Sequence, residues 1–265
     1  MSDTPALLLE RNGPVAIITN NDAPRNRMTL EFIDALEETI AGLASDAAVR
    51  AIIIRGAGEE HFSVGMNLKQ LGEGIEQKGS IDALLDQRLR VIAMIENMGK
   101  PVIAVLCGYC LGGGLEIPLG CHFRLAAAEG AQIGLPELDI GTVPAWGGTA
   151  RLTRCVGRDQ ALDMILRAKK ISGPRALEIG LVHEVWPNDV LQQKALDLAH
   201  ELAKMPPWSV EGCLKAVVGA EHATLDEAIA AERAAVHKVS SGAHQLEGMM
   251  AFLEKRAPDF TTDPE

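Results

Sequence analysis

Long apolar runs are missing from this chain of 265 residues: no stretch approaches the roughly 20 apolar residues that a bilayer-spanning helix needs. The opening Met1-Ser2-Asp3-Thr4-Pro5 also lacks the basic and apolar regions of a secretory leader. Together these absences predict a cytoplasmic protein that does not engage a membrane. Positive charge is in short supply, with 25 Lys and Arg against 36 Asp and Glu and a formal net charge of −11. Nucleic acid is therefore not the expected partner, because its phosphates call for a clustered basic surface. A few local cations still suffice for a phosphorylated small molecule. Cysteine is sparse and odd in number, five residues at 107, 110, 121, 155 and 213, which is no secreted disulfide framework. Cys107-Gly108-Tyr109-Cys110 has the spacing of a zinc or redox half-site, but no second pair and no group of histidines completes it. It also sits mid-chain, away from the helix start that a redox dithiol occupies. Buried structural thiols and no metal are the expectation.

What is present is a 47% apolar chain, long enough for one large core or two small ones. Leu7–Ile18 holds two strand-like runs broken by Asn12-Gly13-Pro14, a hairpin signal. Thr29 is placed to cap a helix carrying Phe32, Ile33, Leu36, Ile40 and Leu43 at helical spacing. Buried strands are predicted at Ala51–Gly56 and from Val102, with an amphipathic helix over Ile81–Met98 between them. Alternation of this kind predicts an α/β architecture with largely parallel strands. Beyond Pro174 the pattern turns helical, apart from Leu181–Trp186, with helices predicted over Asp189–Met205, Trp208–Ala220 and Thr224–Val239. Pro206-Pro207 divides a core of residues 1–205 from a helical region of 206–265. No internal repeat is visible by residue matching.

One stretch pairs a bare backbone with acids. Gly112-Gly113-Gly114-Leu115-Glu116 follows a predicted strand, and Leu135-Pro136-Glu137 brings a second carboxylate 21 positions after the first. Glycines admit a ligand close to backbone N–H groups, and such groups at a helix start cradle negative charge. A carbonyl oxygen that becomes anionic during a reaction needs those donors. Two adjacent acids are suited to moving protons on and off neighbouring carbons. Enolate chemistry is the reading.

Four stretches in order, His61–Lys69, Pro101–Glu116, Ile133–Glu137 through Thr149-Ala150-Arg151-Leu152, and Ala176–Val182, resemble the enoyl-CoA hydratase/isomerase, or crotonase, family. The likeness runs from Leu7 to Phe260 and is most like an enoyl-CoA hydratase. It implies a spiral of repeated ββα turns followed by helices that pack against neighbouring subunits in a homotrimer or homohexamer. It implies an acyl-CoA thioester substrate, with CoA carried as part of that substrate and no separate cofactor. By position, the Met66 and Gly113 N–H groups would bind the thioester oxygen, while Glu116 activates water and Glu137 serves the α carbon. Val64, Met66, Asn67, Leu68 and Lys69 would line the CoA site. Arg25 and Arg27 lie where the family's early loop meets CoA, and Arg25 is the one assigned to it; Lys255 and Arg256 read as a solvated helix end. Trp146 would border the acyl pocket, against the alternative of a packed core aromatic.

Departures from the family pattern are Met28, Met66, Asn67 and His122, of which Asn67 keeps capping capacity and His122 reads as structural. Ala145 stands where several relatives with other reactions carry an aspartate, which favours hydration. The alternatives are another crotonase-type reaction, such as enoyl-CoA isomerisation or C–C bond cleavage, and a catalytically silent CoA-binding member.

Overall fold

The computed structural model describes residues 4–240 and 242–261. Met1–Asp3, part of the segment read above for a leader, and residues 262–265 lie outside it. In chain order the elements are β1 (Leu7–Asn12), β2 (Val15–Asn20), α1 (Leu30–Ser45), β3 (Ala51–Gly56), α2 (Leu71–Lys78), α3 (Ile81–Glu96), β4 (Val102–Leu106), β5 (Tyr109–Leu111), α4 (Gly113–Leu119), β6 (Phe123–Ala127) and β7 (Gln132–Gly134). There follow α5 (Gly148–Val156), α6 (Arg158–Leu166), α7 (Gly173–Glu178), β8 (Glu184–Trp186), α8 (Asn188–Ala203), α9 (Pro207–Ala220), α10 (Leu225–Val239) and α11 (Ala243–Glu254).

Six strands form one sheet in the order β1-β2-β3-β4-β6-β8. The β1–β2 hairpin is antiparallel and every later pairing is parallel. Sequence accounts for this: β4 is Val-Ile-Ala-Val-Leu and wholly buried, the continuous apolar run that a strand covered on both faces requires. On one side, α8 packs across β2, β3, β4, β6 and β8. Its buried face is Leu191 with Ala195, Ala199 and Ala203, three small side chains that let helix and sheet approach closely. The α1 face predicted from spacing is the buried one, and Thr29 Oγ1 accepts the Phe32 N–H at 3.1 Å.

A second, short layer stands beside the sheet. Ser63 bridges Cys110 in parallel, β5 pairs with β7, and Ile133 bridges Ile171. Each of β3, β4 and β6 is thus followed by a short segment that joins this second stack. The successive turns of chain form a spiral.

Several sequence expectations change. Helix α3 stops at Glu96, not Met98, and a short helix, α4, opens within the glycine triplet at Gly113, with Pro118 inside it. Helices α2, α5, α6, α7 and α11 were not anticipated, because glycine, proline or short length breaks their apolar periodicity. Asn67 precedes a 3₁₀ turn, Leu68–Gln70, without capping it; its Nδ2 donates instead to Gln70 Oε1 at 3.1 Å. His122 is structural, its Nδ1 accepting the Val102 N–H at 3.0 Å. Cys107, Cys110 and Cys121 are buried, and burial pushes the Cys107 thiol up to about 11, far from a reactive thiolate.

Candidate active site

The glycine triplet is explained residue by residue. Gly112 has φ 55° and ψ −125°, and a Cβ there would come within 3.0 Å of Glu137 Oε1. A Cβ on Gly113 would stand 2.3 Å from Trp146 Cζ3, and one on Gly114 would stand 2.7 Å from the Ser63 carbonyl oxygen. Any side chain at these three positions would displace an acid, a ring or a neighbouring strand. Gly113 is the first residue of α4, so its N–H belongs to those a helix leaves without an intrahelical acceptor.

The 63–69 segment meets this turn from the other side. Ser63 donates its N–H to the Tyr109 carbonyl, and the Leu111 N–H donates to the Ser63 carbonyl. Ser63 Oγ accepts the Gly65 N–H at 3.0 Å. Met28 bridges Met66 by donating to the Gly65 carbonyl and accepting from the Asn67 N–H. A parallel bridge of that form turns the N–H of Met66 itself away from Met28. Gly65 has φ 98°, and a Cβ there would lie 3.9 Å from the Gly113 nitrogen. The loop before Met66 and the start of α4 therefore adjoin.

Glu116 and Glu137 flank the same turn. Glu116, on α4, is only 2% exposed, and its Oε1 accepts the N–H groups of Trp146 and Gly148, both at 2.8 Å. Burial pushes its pKa up to about 7, against the two N–H donors and Arg151; the charge of Glu137 adds to the rise. Glu137 opens the 3₁₀ turn Glu137–Ile140 and is half-buried. Its Oε2 is buried with no hydrogen-bond partner among the described residues, and burial raises its pKa as well. Burial thus favours the protonated form of both carboxyls, and the charge of Glu137 adds to the effect at Glu116.

The remaining predicted residues distribute unevenly. Val64 donates its N–H to the Arg25 carbonyl at 3.0 Å, so Arg25 meets the 63–69 segment through its backbone while its side chain is exposed. Leu68 and Lys69 are exposed; Asn67 is half-buried. Arg27 pairs with Asp22, Nε to Oδ2 at 2.6 Å. Trp146 is 4% exposed, its ring wedged between Gly113 and the Arg88 guanidinium, whose carbon lies 5.9 Å from the ring centroid. It thus packs as core and also carries one of the two donors to Glu116.

Three charged residues beside the site received no role from the sequence: Arg88, Glu96 and Arg151, the last of them within a stretch that carries the family likeness. Arg88 and Glu96 lie on α3, which the sequence marks only as an amphipathic helix. Arg151 stands one turn after the Gly147-Gly148 pair, a position visible in sequence but without meaning until the turn is folded. A cleft of about 490 Å³ lies elsewhere, between the end of α1 and the start of α9, lined in part by Arg50, Lys100, Trp208 and Glu211. Its Lys100 ammonium is spent on the Leu43 and Asp46 carbonyls, each at 2.6 Å, and caps the end of α1.

Residues 10–263 match the enoyl-CoA hydratase/isomerase family. A probable enoyl-CoA hydratase of Bacillus subtilis is 35% identical over 250 residues, covering 93% of this chain and 95% of that protein. The short-chain-enoyl-CoA hydratase of Clostridium acetobutylicum is 33% identical over 251 residues, 94% and 95% of the two chains. Among solved structures, an enoyl-CoA hydratase from Bacillus anthracis superposes with a TM-score of 0.90 at 32% identity, over 96% of this chain and 98% of the other.

Proposed function

The chain belongs to the enoyl-CoA hydratase/isomerase family, and from that membership we propose that it is a hydro-lyase adding water across the α,β double bond of an enoyl-CoA thioester. The product is a 3-hydroxyacyl-CoA, and the reaction is reversible. The observation that carries the reading is the pair of carboxyls, Glu116 and Glu137, both pushed up by burial on either side of the Gly112-Gly113 turn.

In the proposed mechanism the thioester oxygen accepts hydrogen bonds from the Met66 and Gly113 N–H groups. Negative charge gathers on that oxygen as water adds to the β carbon, so donors already in place stabilise the transition state more than the ground state. Ionised Glu116 takes the proton that water loses. Its Oε1 is occupied by two backbone donors, which leaves Oε2 for the water. Protonated Glu137 supplies the α proton, an assignment that fits its unpartnered, buried Oε2. One acid and one base are available together because burial raises both carboxyls, with the charge of Glu137 adding to the rise at Glu116.

CoA binding is assigned to Val64, Met66, Asn67, Leu68 and Lys69, with Arg25 at the edge. Exposed Lys69 stands at the position that family likeness brings to the adenine end of CoA, and CoA enters as part of the substrate with no separate cofactor or metal. Trp146, fixed against Gly113, is proposed to limit the depth of the acyl pocket. A homotrimer or homohexamer fits the apolar side chains left exposed on α10 and α11, among them Leu225, Ile229, Phe252 and Leu253. No helix among the described residues is long and apolar enough to cross a membrane, and a cytoplasmic location is proposed.

The test is incubation of the purified protein with crotonyl-CoA and longer trans-2-enoyl-CoA esters in deuterated water. Loss of the conjugated thioester absorbance with one deuterium at the α carbon supports hydration. Migration of the double bond without gain of water would assign isomerisation instead. Bound CoA esters that remain unchanged would assign the silent role.

A further inference from the structure

We infer that Arg151, locked by Glu96, is a positioning residue for this reaction: it holds the Trp146–Gly148 turn in the one conformation whose N–H groups carry Glu116. The inference rests on the hydratase reading above and extends it to two residues that touch no reacting atom.

The guanidinium of Arg151 meets Glu96 as a two-pronged fork, Nε to Oε1 at 2.9 Å and Nη2 to Oε2 at 2.7 Å. Both side chains are largely withdrawn from water, 16% and 18% exposed, where a bidentate charged pair is directional and resists exchange with solvent. The third arm turns inward, with Nη1 donating to the Trp146 carbonyl at 3.3 Å. Gly147, at φ 89°, lies so close that a Cβ there would stand 2.2 Å from Nη1. The first turn of α5 closes on the same loop, the Arg151 N–H donating to the Gly147 carbonyl at 3.0 Å. The Trp146-Gly147 peptide is therefore gripped through its carbonyl by the guanidinium. The flanking N–H groups of Trp146 and Gly148 both point at Glu116 Oε1.

The anchor itself is fixed to the sheet. Glu96 is the last residue of α3, and its carbonyl contacts His122 Nε2 at 3.2 Å while His122 Nδ1 accepts the N–H of Val102 at the start of β4. A chain of contacts thus runs from the central sheet through His122, Glu96 and Arg151 to the base that activates water. The charged groups around Glu116 are few. Glu137 faces it from the turn after β7 and Arg151 from α5; Arg88, from α3, lies across the Trp146 ring, and Glu96 offsets Arg151. Removing Arg151 takes away a cation and loosens two N–H donors, and both changes disfavour the Glu116 carboxylate.

Arg151→Gln is the test, read by kcat and KM with crotonyl-CoA across pH. We expect kcat to fall about 10- to 100-fold, the scale of a small misplacement of a catalytic group, with KM within about threefold of the parent. The acid limb of the kcat profile should move to higher pH by about one unit, as for loss of a nearby opposite charge. A purely structural bridge would lower Tm and leave that limb in place, and such a result overturns the inference. Should Arg151→Gln not fold, Arg151→Lys carries the test, since it keeps the charge and loses the fork. There kcat falls about tenfold at unchanged KM, and parental kcat overturns the proposal. A parent protein inert toward every enoyl-CoA would sink the hydratase reading instead. The Glu116 carboxyl titration then judges Arg151 without turnover, followed by its infrared stretch and assigned by its loss in Glu116→Gln.

Discussion

Glu116 binds its proton more tightly in the folded protein than in the unfolded chain, its pKa standing near 7 where an unburied glutamate has 4.5. The native state therefore holds the extra proton between those values, and stability falls as pH rises through that window. Below about 4.5 the group costs nothing, and above about 7 the cost is complete. Glu116→Gln removes the ionisation while its amide oxygen still accepts the Trp146 and Gly148 N–H groups. Its stability relative to the parent should rise across pH 4.5 to 7, by up to about 3 kcal/mol. Thermal melts at a series of pH values decide this, and parallel curves for the two proteins would refute it. The same variant should lose at least ~10²-fold in hydration, because an amide cannot take water's proton. Glu137→Gln should be comparably damaging, and the double variant should lose far less than the product of the two, as residues acting on one proton relay are not additive.

The start of α4 depends on a contact that no local rule describes. Proline or alanine would be tolerated at the first position of an ordinary helix, but at Gly113 a Cβ meets the Trp146 ring at 2.3 Å. Gly113→Ala should therefore cost about 1–3 kcal/mol by overpacking, with a matching fall in Tm. Trp146→Leu alone leaves a gap, yet added to Gly113→Ala it should recover part of that loss. A double-mutant cycle measures the coupling, and strictly additive losses would show that the two do not touch. Kinetics of Trp146→Leu test its pocket role separately: a relative gain for bulkier acyl groups of about 1–3 kcal/mol in kcat/KM supports it, while a uniform loss across chain lengths leaves it to packing.

In the whole molecule, α9 and α10 pack mainly against one another, and neither contributes a fully buried residue. Phe252 is 83% exposed and Leu253 77%. Such surface is costly in isolation and is covered most simply by further copies of the chain. Light scattering should report three or six times the chain mass of 28.3 kDa. Phe252→Asp with Leu253→Asp should shift the assembly toward smaller species, and a monomeric parent would reject the proposed oligomer.

The amino-acid order alone determined the buried strands, the α1 face with its Thr29 cap, the helical last third and the pairing of a glycine turn with Glu116 and Glu137. Those features are local: apolar period, capping oxygen and glycine are properties of a few consecutive residues. Tertiary structure decided the rest. The spiral is invisible to residue matching because its repeat is one of backbone path, with the short segments at Ser63, Cys110 and Ile133 stacking although their side chains differ. It also decided that Trp146 and Gly148 hold Glu116 from 30 and 32 positions away, and that Glu96 grips Arg151 across 55. Family likeness singles out Trp146 and the stretch holding Arg151, but nothing in either neighbourhood says what they hold. Burial is what raises the two acids, and burial belongs to the folded chain: a glutamate in sequence is an ordinary carboxyl until a core closes over it.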